Sequence, residues 1–239
     1  MKTLPDGRLL CAAGLVREGA VLADVGTDHA YLPIYLLERG RIVRAVAADI
    51  GAGPLARARA HIAAAGYEDR VETVQTDGLT GLSDRGVTDI AICGMGGELI
   101  ADILAAAPFV RNPAIHLILQ PMTRPAALRR FLAENGFAVR EERVCRAAGR
   151  VYACLLAVYD GTVHTVSPAE AEVGALSPGN AEEAQAFHEL LVRKIAALQQ
   201  STAARRAAGC PSEEDEELLA ALLHRMKTTG VLHDGKPLL

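Results

Sequence analysis

The sequence predicts an α/β fold, in which a mostly parallel sheet carries helices on its faces, followed by a smaller helical domain. Two observations predict it. Short apolar runs alternate with segments of helical periodicity up to residue 160, which is typical of successive β-α-β units. Beyond that point the strand signals stop and two long helical patterns take over. We therefore expect one domain over residues 1–160 and a second over 161–239.

The elements of the first domain follow in a regular order after a short helix over 6–17. Strands are predicted at 20–25, 43–48, 71–75, 87–92 and 115–119. Helices are predicted at 28–39, 53–65, from after Gly97 to about Ala105, and at 125–135. Pro125 in the first turn and Gly136 after the end mark the last of these helices. Two further β-like runs, 137–145 and 151–159, predict an antiparallel pair at the sheet edge, which makes seven strands.

The second domain is predicted to be a helical hairpin. Residues 163–179 are rich in Pro, Ser and Thr and predict a connector, whereas apolar residues between 184 and 198 recur at helical spacing. Gly209-Cys210-Pro211 ends that helix, and Ser212 with Asp215 fits a capping box for a second one. Two facing apolar stripes are typical of a coiled-coil-like hairpin. Such a stripe can pair within the chain or with another copy, so a monomer and a weak dimer both stay open.

Composition narrows the class of protein. Half of the residues are hydrophobic, yet the apolar runs fall short of the ~20 residues of a membrane helix. The first residues lack the apolar segment of a signal peptide, so we expect a cytoplasmic protein without a membrane partner. The five cysteines are odd in number and scattered, with no C-x-x-C pair. Reduced thiols are therefore expected rather than disulfides, and no metal site is expected.

The net charge of −4 predicts no overall attraction to nucleic acid, but one stretch of the first domain is basic. Between residues 111 and 150, three glutamates (Glu134, Glu141 and Glu142) accompany eight arginines: Arg111, Arg124, Arg129, Arg130, Arg140, Arg143, Arg146 and Arg150. Arg129 and Arg130, on the helix predicted at 125–135, are candidate phosphate contacts. The alternative is an ordinary solvated helix and edge strand.

The strongest local feature is the turn after the first strand, Asp24-Val25-Gly26-Thr27-Asp28-His29-Ala30. A strand that enters a helix through a glycine turn presents backbone N–H groups at the carboxyl edge of the sheet, where α/β folds bind ligands. Asp28 and Ala30 stand where a dinucleotide-binding loop carries further glycines. A carboxylate there repels phosphate but suits the cationic, phosphate-free S-adenosylmethionine. The alternative is that Asp28 merely caps the following helix.

Two acidic strand ends follow at the same predicted edge. Asp49, with Ile50, lies 23 residues after Gly26 and can accept hydrogen bonds from the ribose hydroxyls of a nucleoside. Asp77 can accept a hydrogen bond from the adenine amino group, and Gly78 lets the backbone approach the adenine ring. An ordinary Asp-Gly turn is the alternative for the second pair.

The fourth and fifth strands end in segments that can border the same crevice. Gly94, Met95 and Gly96, followed by a further glycine, allow a flat group to approach the backbone, and Met95 can pack on it. Gln120 and Pro121 end the fifth strand and can line the substrate side. The order of these four strand-end motifs indicates one ligand crevice.

These motifs resemble those of the bacterial tRNA (adenine-22)-N1 methyltransferases, the TrmK family. The resemblance is carried by ADVGTDHAYLP at 23–33, CGMGGELI at 93–100 and LQP at 119–121, with the early Arg8 and the helical tail. It implies a Rossmann-like class I methyltransferase domain, a coiled-coil-like C-terminal domain, S-adenosylmethionine as methyl donor and tRNA as partner. The Asn/Asp-Pro-Pro-Phe/Tyr motif of many amino-methyltransferases is replaced by Gly94-Met95-Gly96-Gly97, which agrees with attack by a ring nitrogen.

The residues allow roles to be assigned as hypotheses. Adenine N1 carries a lone pair and needs no prior deprotonation, so positioning is the main catalytic task. Asp28 is the candidate to stabilise the positive charge that reaches the base, with His29 beside it. Predicted cofactor contacts are Asp24, Gly26, Thr27, Asp28, His29, Asp49, Ile50, Asp77, Gly78, Gly94 and Met95. Predicted tRNA contacts are Arg8, Tyr31, Gly96, Gln120, Pro121, Arg129 and Arg130.

Two other functions fit the same residues. A small-molecule methyltransferase would use the tail for dimerisation, and a non-catalytic protein would hold tRNA and keep the pocket as a relic. The first predicts activity on a low-mass acceptor. The second predicts tRNA binding without methyl transfer.

Overall fold

The computed structural model describes residues 6–175, 179–228, 232–233 and 236–237. The chain forms two compact units, and the boundary between them in the sequence follows Thr165. The first unit is built on a seven-stranded sheet in the order 3-2-1-4-5-7-6. Strand β7 runs antiparallel to both of its neighbours, and the other pairs are parallel. The strands are β1 (Ala20–Val25), β2 (Ile42–Asp49), β3 (Val71–Gln75), β4 (Asp89–Gly96), β5 (His116–Thr123), β6 (Phe137–Ala147) and β7 (Arg150–Tyr159). The seven-stranded, mostly parallel sheet predicted from the sequence is confirmed.

Helices cover both faces of this sheet. They are α1 (Gly7–Leu15), α2 (Tyr31–Glu38), α3 (Ala52–Ala65), α4 (Gly97–Ala105) and α5 (Pro125–Glu134), with short 3₁₀ turns at Ser83–Arg85 and Pro108–Val110. Buried side chains of α1, α2 and α3 pack on one face, and those of α4 and α5 pack on the other. Strand β1 is buried on both faces, as central strands of parallel sheets are, and each fully buried leucine such as Leu22 contributes about 1.5–3 kcal/mol.

Helix α2 begins later than its sequence pattern predicts. The helical pattern starts at Asp28, but the backbone makes a tight turn over 27–30 and becomes helical at Tyr31. Ala30 occupies the N-cap position in the left-handed region, at φ 53°, and its N–H donates to the Thr27 hydroxyl at 3.2 Å. The capping role considered for Asp28 is therefore wrong, and its side chain is available for other contacts.

An ion pair with a buried carboxylate ties the segment after α1 to the start of β4. The Asp89 carboxylate is fully buried and accepts the Arg17 guanidinium, with Nε–Oδ2 at 3.0 Å and Nη2–Oδ2 at 2.8 Å. The backbone N–H of Arg17 and the hydroxyl of Thr88 also donate to this carboxylate. These donors offset the cost of removing a carboxylate from water.

The second compact unit is helical. It contains α6 (Pro168–Val173), α7 (Ala181–Ala207) and α8 (Glu213–Thr228), and two short strands, Leu232–His233 and Lys236–Pro237, pair antiparallel. Helix α6 falls within the predicted connector, where Ser167 and Glu170 form a capping box. The predicted helical hairpin is present as α7 and α8, joined by an ion pair between Arg206 and Glu216. Among the described helices, none has the length and apolar character that crossing a bilayer requires.

We expect Arg17→Ala to lower the free energy of unfolding by about 1–3 kcal/mol, because the buried Asp89 would lose its cationic partner while the exposed part of the Arg17 side chain limits the loss. Urea titrations of both proteins at neutral pH would measure the difference. Arg111→Ala removes an exposed arginine and serves as the control, with an expected change within about 0.5 kcal/mol. Equal effects of the two substitutions would contradict a stabilising role for the Arg17–Asp89 pair.

Candidate active site

A cavity of about 180 Å³ opens at the carboxyl edge of the sheet, where β1, β4 and β5 end. Nine residues predicted from the sequence as site residues line it: Arg8, Asp24, Gly26, Thr27, Asp28, His29, Tyr31, Gly94 and Gln120. Helix α1 contributes Leu9 to the wall, and β4 contributes Cys93; neither was predicted. The motifs at the ends of β1, β4 and β5 therefore meet in one place.

A buried carboxylate lies in the lining of this cavity. Asp24 is 7% exposed, and burial raises the pKa of its carboxyl group to about 6, against the lowering effect of a hydrogen bond from Thr27; the charge of Asp49 raises it further. Burial likewise raises the pKa of the neighbouring Cys93 thiol, which therefore stays neutral. A cationic ligand in the cavity would compensate the Asp24 charge, whereas a phosphate would add to it.

Two glycines shape the backbone around the cavity. Gly26 has φ 77°, and the N–H groups of Gly26 and Thr27 both donate to the Ala48 carbonyl, at 2.8 and 3.0 Å, which turns the chain sharply off the end of β1. A Cβ at Gly26 would overlap the side chain of Met95, which packs over this turn. Gly94 has φ 85° and lies at an irregularity in the pairing of β4 with β5, so that β4 continues to Gly96.

Asp28 stands at the rim of the cavity and is 55% exposed. Its carboxylate accepts the Arg57 side chain, with Nε–Oδ1 at 2.9 Å, and this ion pair holds the pKa of Asp28 below its usual value. His29 Nε2 lies 3.1 Å from the other carboxylate oxygen. Asp28 is thus an ionised group with a cation on one side and an imidazole on the other.

Three rings stack beside this carboxylate. The ring centroid of His29 lies 4.9 Å from that of Tyr31 and 5.0 Å from that of His61, and the planes are within 25° of parallel. The carbonyl of His29 lies 3.2 Å from His61 Nδ1. Within the described part of the chain, the buried Nδ1 of His29 has no hydrogen-bond partner. The wall of the cavity therefore includes an aromatic stack with an unused polar atom.

Sequence reasoning missed His61 and Arg57. Both lie on α3, and they are four residues apart, so they occupy the same side of that helix. Their i, i+4 spacing on the helix that follows β2 indicates that they share a side of that helix. Nothing in the sequence indicates that this side faces the Asp28 turn, which lies about 30 residues earlier in the chain.

Several predicted contacts lie at the same edge but outside the cavity lining. The Asp49 carboxylate accepts a hydrogen bond from the Gly51 N–H at 2.7 Å. Its negative charge is close enough to Asp24 to raise the pKa of the Asp24 carboxyl group. Ile50 is 66% exposed, and Asp77 is exposed as well. Four further residues that were predicted as contacts also lie outside the cavity lining: Gly78, Met95, Gly96 and Pro121.

Gln120 is buried and connects two strand ends. Its Oε1 accepts the Gly94 N–H at 3.1 Å, and its Nε2 donates to the Pro121 carbonyl at 3.0 Å. The side chain therefore holds the glycine segment of β4 against β5. Arg8, on α1, pairs with Asp6 and lies 5.5 Å from the ring centroid of Tyr152.

The prediction that Arg129 contacts phosphate is wrong. Arg129 is 4% exposed, and its Nε donates to the Glu142 carboxylate at 2.7 Å between α5 and β6. Its neighbour Arg130 is exposed. Ion pairs also reduce the local excess of positive charge. The pairs are Arg124 with Glu98, Arg140 with Asp160 and Arg143 with Glu141.

With this geometry established, comparison with known proteins identifies the family. Residues 6–155 match the family model described as a methyltransferase domain. The tRNA (adenine(22)-N(1))-methyltransferase of Bacillus subtilis strain 168 is 34% identical over 161 residues, which are 64% of this chain and 68% of that protein. The chain belongs to the tRNA (adenine(22)-N(1))-methyltransferase family.

Solved structures of tRNA (m1A22) methyltransferases resemble the chain over most of its length. A Streptococcus pneumoniae protein of this description, in complex with S-adenosyl-L-methionine, is 31% identical with a TM-score of 0.77, over 91% of this chain and 98% of that one. The Bacillus subtilis m1A22 tRNA methyltransferase TrmK is 27% identical with a TM-score of 0.71, over 94% and 97%. Both similarities extend beyond the catalytic unit into the helical unit.

In this member of the tRNA (adenine(22)-N(1))-methyltransferase family, we expect Asp24→Asn to be more stable than the wild type above pH 6, by roughly 2–3 kcal/mol. The amide keeps an acceptor for Thr27 and removes a buried charge. A carboxyl whose folded pKa is raised stabilises the fold below its unfolded pKa, and that contribution is lost as pH rises through about 6.

The difference in free energy of unfolding between Asp24→Asn and the wild type should therefore shrink as pH falls from 7 to about 4. Urea unfolding at a series of pH values would measure it. Asp69→Asn changes an exposed carboxyl far from the cavity and is the control. A pH-independent difference between Asp24→Asn and the wild type would rule out titration of Asp24 as its cause.

Proposed function

We propose that this chain transfers a methyl group from S-adenosylmethionine to N1 of the adenine at position 22 of tRNA in the cytoplasm. The observation that carries the proposal is the buried Asp24 carboxylate in a cavity at the carboxyl edge of a methyltransferase-type sheet. The relatives named above, a tRNA (adenine(22)-N(1))-methyltransferase and a structure with S-adenosyl-L-methionine bound, support the reaction and the donor.

The residues present fit this cofactor. Asp24 offers a buried negative charge to a ligand that carries ammonium and sulfonium groups, and its raised pKa marks a charge that lacks full compensation. Gly94 leaves the approach to the backbone open, and Gly26 allows the sharp turn over which Met95 packs. Asp49 lies at the end of the adjacent strand, where it can accept ribose hydroxyls. Asp77 and Gly78 are proposed on the adenine side of the same edge, with Met95 packed over the turn.

The cofactor supplies an electrophilic methyl group, and the chain supplies position and charge. Adenine N1 attacks through its ring lone pair, so a general base is not required. Because N1 is used in Watson–Crick pairing, the base must be unpaired or extruded, at a cost of a few kcal/mol. A stack such as His29, Tyr31 and His61 can recover part of that cost, since base–aromatic stacking contributes about 1–3 kcal/mol per base.

Asp28 is proposed as the group that stabilises the methylated base. The product base carries a positive charge, and an ionised carboxylate beside it lowers the energy of the transition state. Asp28 is exposed, and the hydrogen bonds from Arg57 lower the pKa of its carboxyl group below the usual value. His29, within 3.1 Å of Asp28, is proposed to orient it. On the tRNA side, Arg8 and Arg130 are the proposed phosphate contacts, with Gly96, Gln120 and Pro121 near the incoming base.

Incubation of an unmodified tRNA transcript with the enzyme and S-adenosylmethionine should yield N1-methyladenosine at position 22. Nucleoside analysis by mass spectrometry and reverse-transcription stops would identify the base and its position. A transcript with guanine at position 22 is the matched control and should stay unmodified. Binding of tRNA without methylation, or methylation of a low-mass acceptor instead, would reject the proposal in favour of another function.

We expect Asp28→Asn to lower turnover by about 10- to 100-fold, while the dissociation constant for S-adenosylmethionine changes less than about 2-fold. Single-turnover kinetics and calorimetry would separate the two quantities. Asp69→Asn should match the wild type in both. Normal turnover would remove the catalytic role of Asp28, and weakened cofactor binding with normal turnover of the bound complex would make it a cofactor contact.

A further inference from the structure

Three cysteines from separate elements meet on one face of the sheet. Cys11 lies on α1, Cys145 on β6 and Cys154 on β7, and their sulfur atoms all lie within 4.8 Å of one another. Cys154 is buried, and the other two are partly buried. Local sequence patterns do not reveal this group, because its members stand far apart in the chain. The expectation that no metal site exists rested on that spacing.

The fold explains why the sulfur atoms face one another. In the antiparallel pair of β6 with β7, Cys145 is opposite Tyr152, so Cys154 lies two residues further along β7 and shares its face. Helix α1 packs over the same face, where its Ala12 and Ala13 belong to the same buried cluster as Cys154. One turn of helix and two neighbouring strands thus fix the three sulfur positions on regular secondary structure.

The contacts of the thiols with the backbone are weak. Cys145 Sγ donates to the Tyr152 carbonyl at 3.8 Å, and Cys154 Sγ donates to the Arg8 carbonyl at 3.7 Å. Both distances are long even for sulfur, and thiols are weak donors. Three thiols that converge within a largely apolar cluster therefore present a set of soft ligands.

The spacing suits a soft metal ion. Zinc–sulfur bonds of about 2.3 Å in tetrahedral geometry place neighbouring sulfur atoms about 3.8 Å apart. The observed upper limit of 4.8 Å is about 1 Å larger, which small rotations of the cysteine side chains can close. Thiolates select zinc and copper(I) over magnesium, calcium and manganese. A disulfide would use two of the sulfurs, leave the third unpaired and need an oxidant.

We propose that Cys11, Cys145 and Cys154 form a binding site for a thiophilic metal ion, with Zn²⁺ as the ion to be tested. Each thiol releases its proton to solvent as its sulfur binds the ion, and water completes the tetrahedron on the partly exposed side. The site is separate from the proposed methyl-transfer chemistry and does not depend on it. It would fasten α1, which carries Arg8 to the cavity, to the hairpin of β6 and β7.

Metal binding can be measured directly on the full chain. Tag-free protein is stripped with a chelator, reduced with a phosphine and titrated with Co²⁺ under argon. We expect a thiolate-to-cobalt absorption band that saturates at one ion per chain and disappears when Zn²⁺ displaces the cobalt. Elemental analysis after gel filtration should then find one zinc per chain. The melting temperature should rise with Zn²⁺, since ligands that bind only the folded state stabilise it.

Single substitutions decide which sulfurs bind the ion. Cys11→Ser and Cys145→Ser should each weaken Co²⁺ and Zn²⁺ binding more than about 100-fold, beyond the range seen when only a supporting partner of a metal ligand is lost. Cys210→Ser, which changes an exposed cysteine of the second unit, is the matched control and should bind as the wild type does. Circular dichroism would verify that each variant is folded. If one of the two variants does not fold, the other still tests the site.

Three outcomes would overturn the proposal. One is the absence of a thiolate band in the stripped, reduced wild type. Another is a band that persists in both folded variants, which would place the metal elsewhere. The third is a loss of two hydrogens by intact-mass analysis without metal uptake, which would make the cluster a disulfide site. Methylation activity is not among the readouts, so a failure of the proposed function leaves this test unaffected.

Discussion

Parallel pairing of β1 with β2 on one side and β4 on the other brings three strand ends to one edge, and the cavity depends on this arrangement. The Ala48 carbonyl at the end of β2 accepts two N–H groups from the turn after β1, so the turn is fixed by its neighbour. The same pairing buries Asp24 two residues before that turn. The apolar packing of β1 offsets the roughly 2–3 kcal/mol that this carboxylate costs at neutral pH. The fold thus sustains a locally unfavourable charge in the cavity where the cationic cofactor is proposed to bind.

The catalytic unit has a sequence whose local patterns agree with its structure. The predicted bounds of β1 and β3 coincide with the observed ones and those of α4 agree to within a residue, because each is set by residues a few positions apart: apolar runs, strand-ending glycines and helical spacing. The strand-end motifs are predictable for the same reason, since parallel strands must place their carboxyl ends together. The sequence pattern therefore suffices to assign Asp24, Gly26 and Gly94 to one crevice.

Features that depend on contacts between distant residues could not be predicted in this way. Arg129 has the sequence of an exposed helical arginine, and only the approach of Glu142 on β6 explains its burial. His61 joins the ring stack because α3 packs beside the Asp28 turn. The late start of α2 has a different cause: Ala30 adopts a left-handed conformation that its residue type does not announce. For Arg129 and His61 the deciding partner lies outside the local window of sequence, whereas for Ala30 it is a local backbone conformation that the residue type does not predict.

The ring stack has a practical consequence for spectroscopy. The chain contains no tryptophan and five tyrosines, so tyrosine alone determines its intrinsic emission. Tyr31 stacks on His29 in the wall of the cavity. A molecule that separates the two rings would change the surroundings of the Tyr31 phenol and with them its fluorescence. Occupancy of this pocket can therefore be followed optically, with no label and no change to the chain.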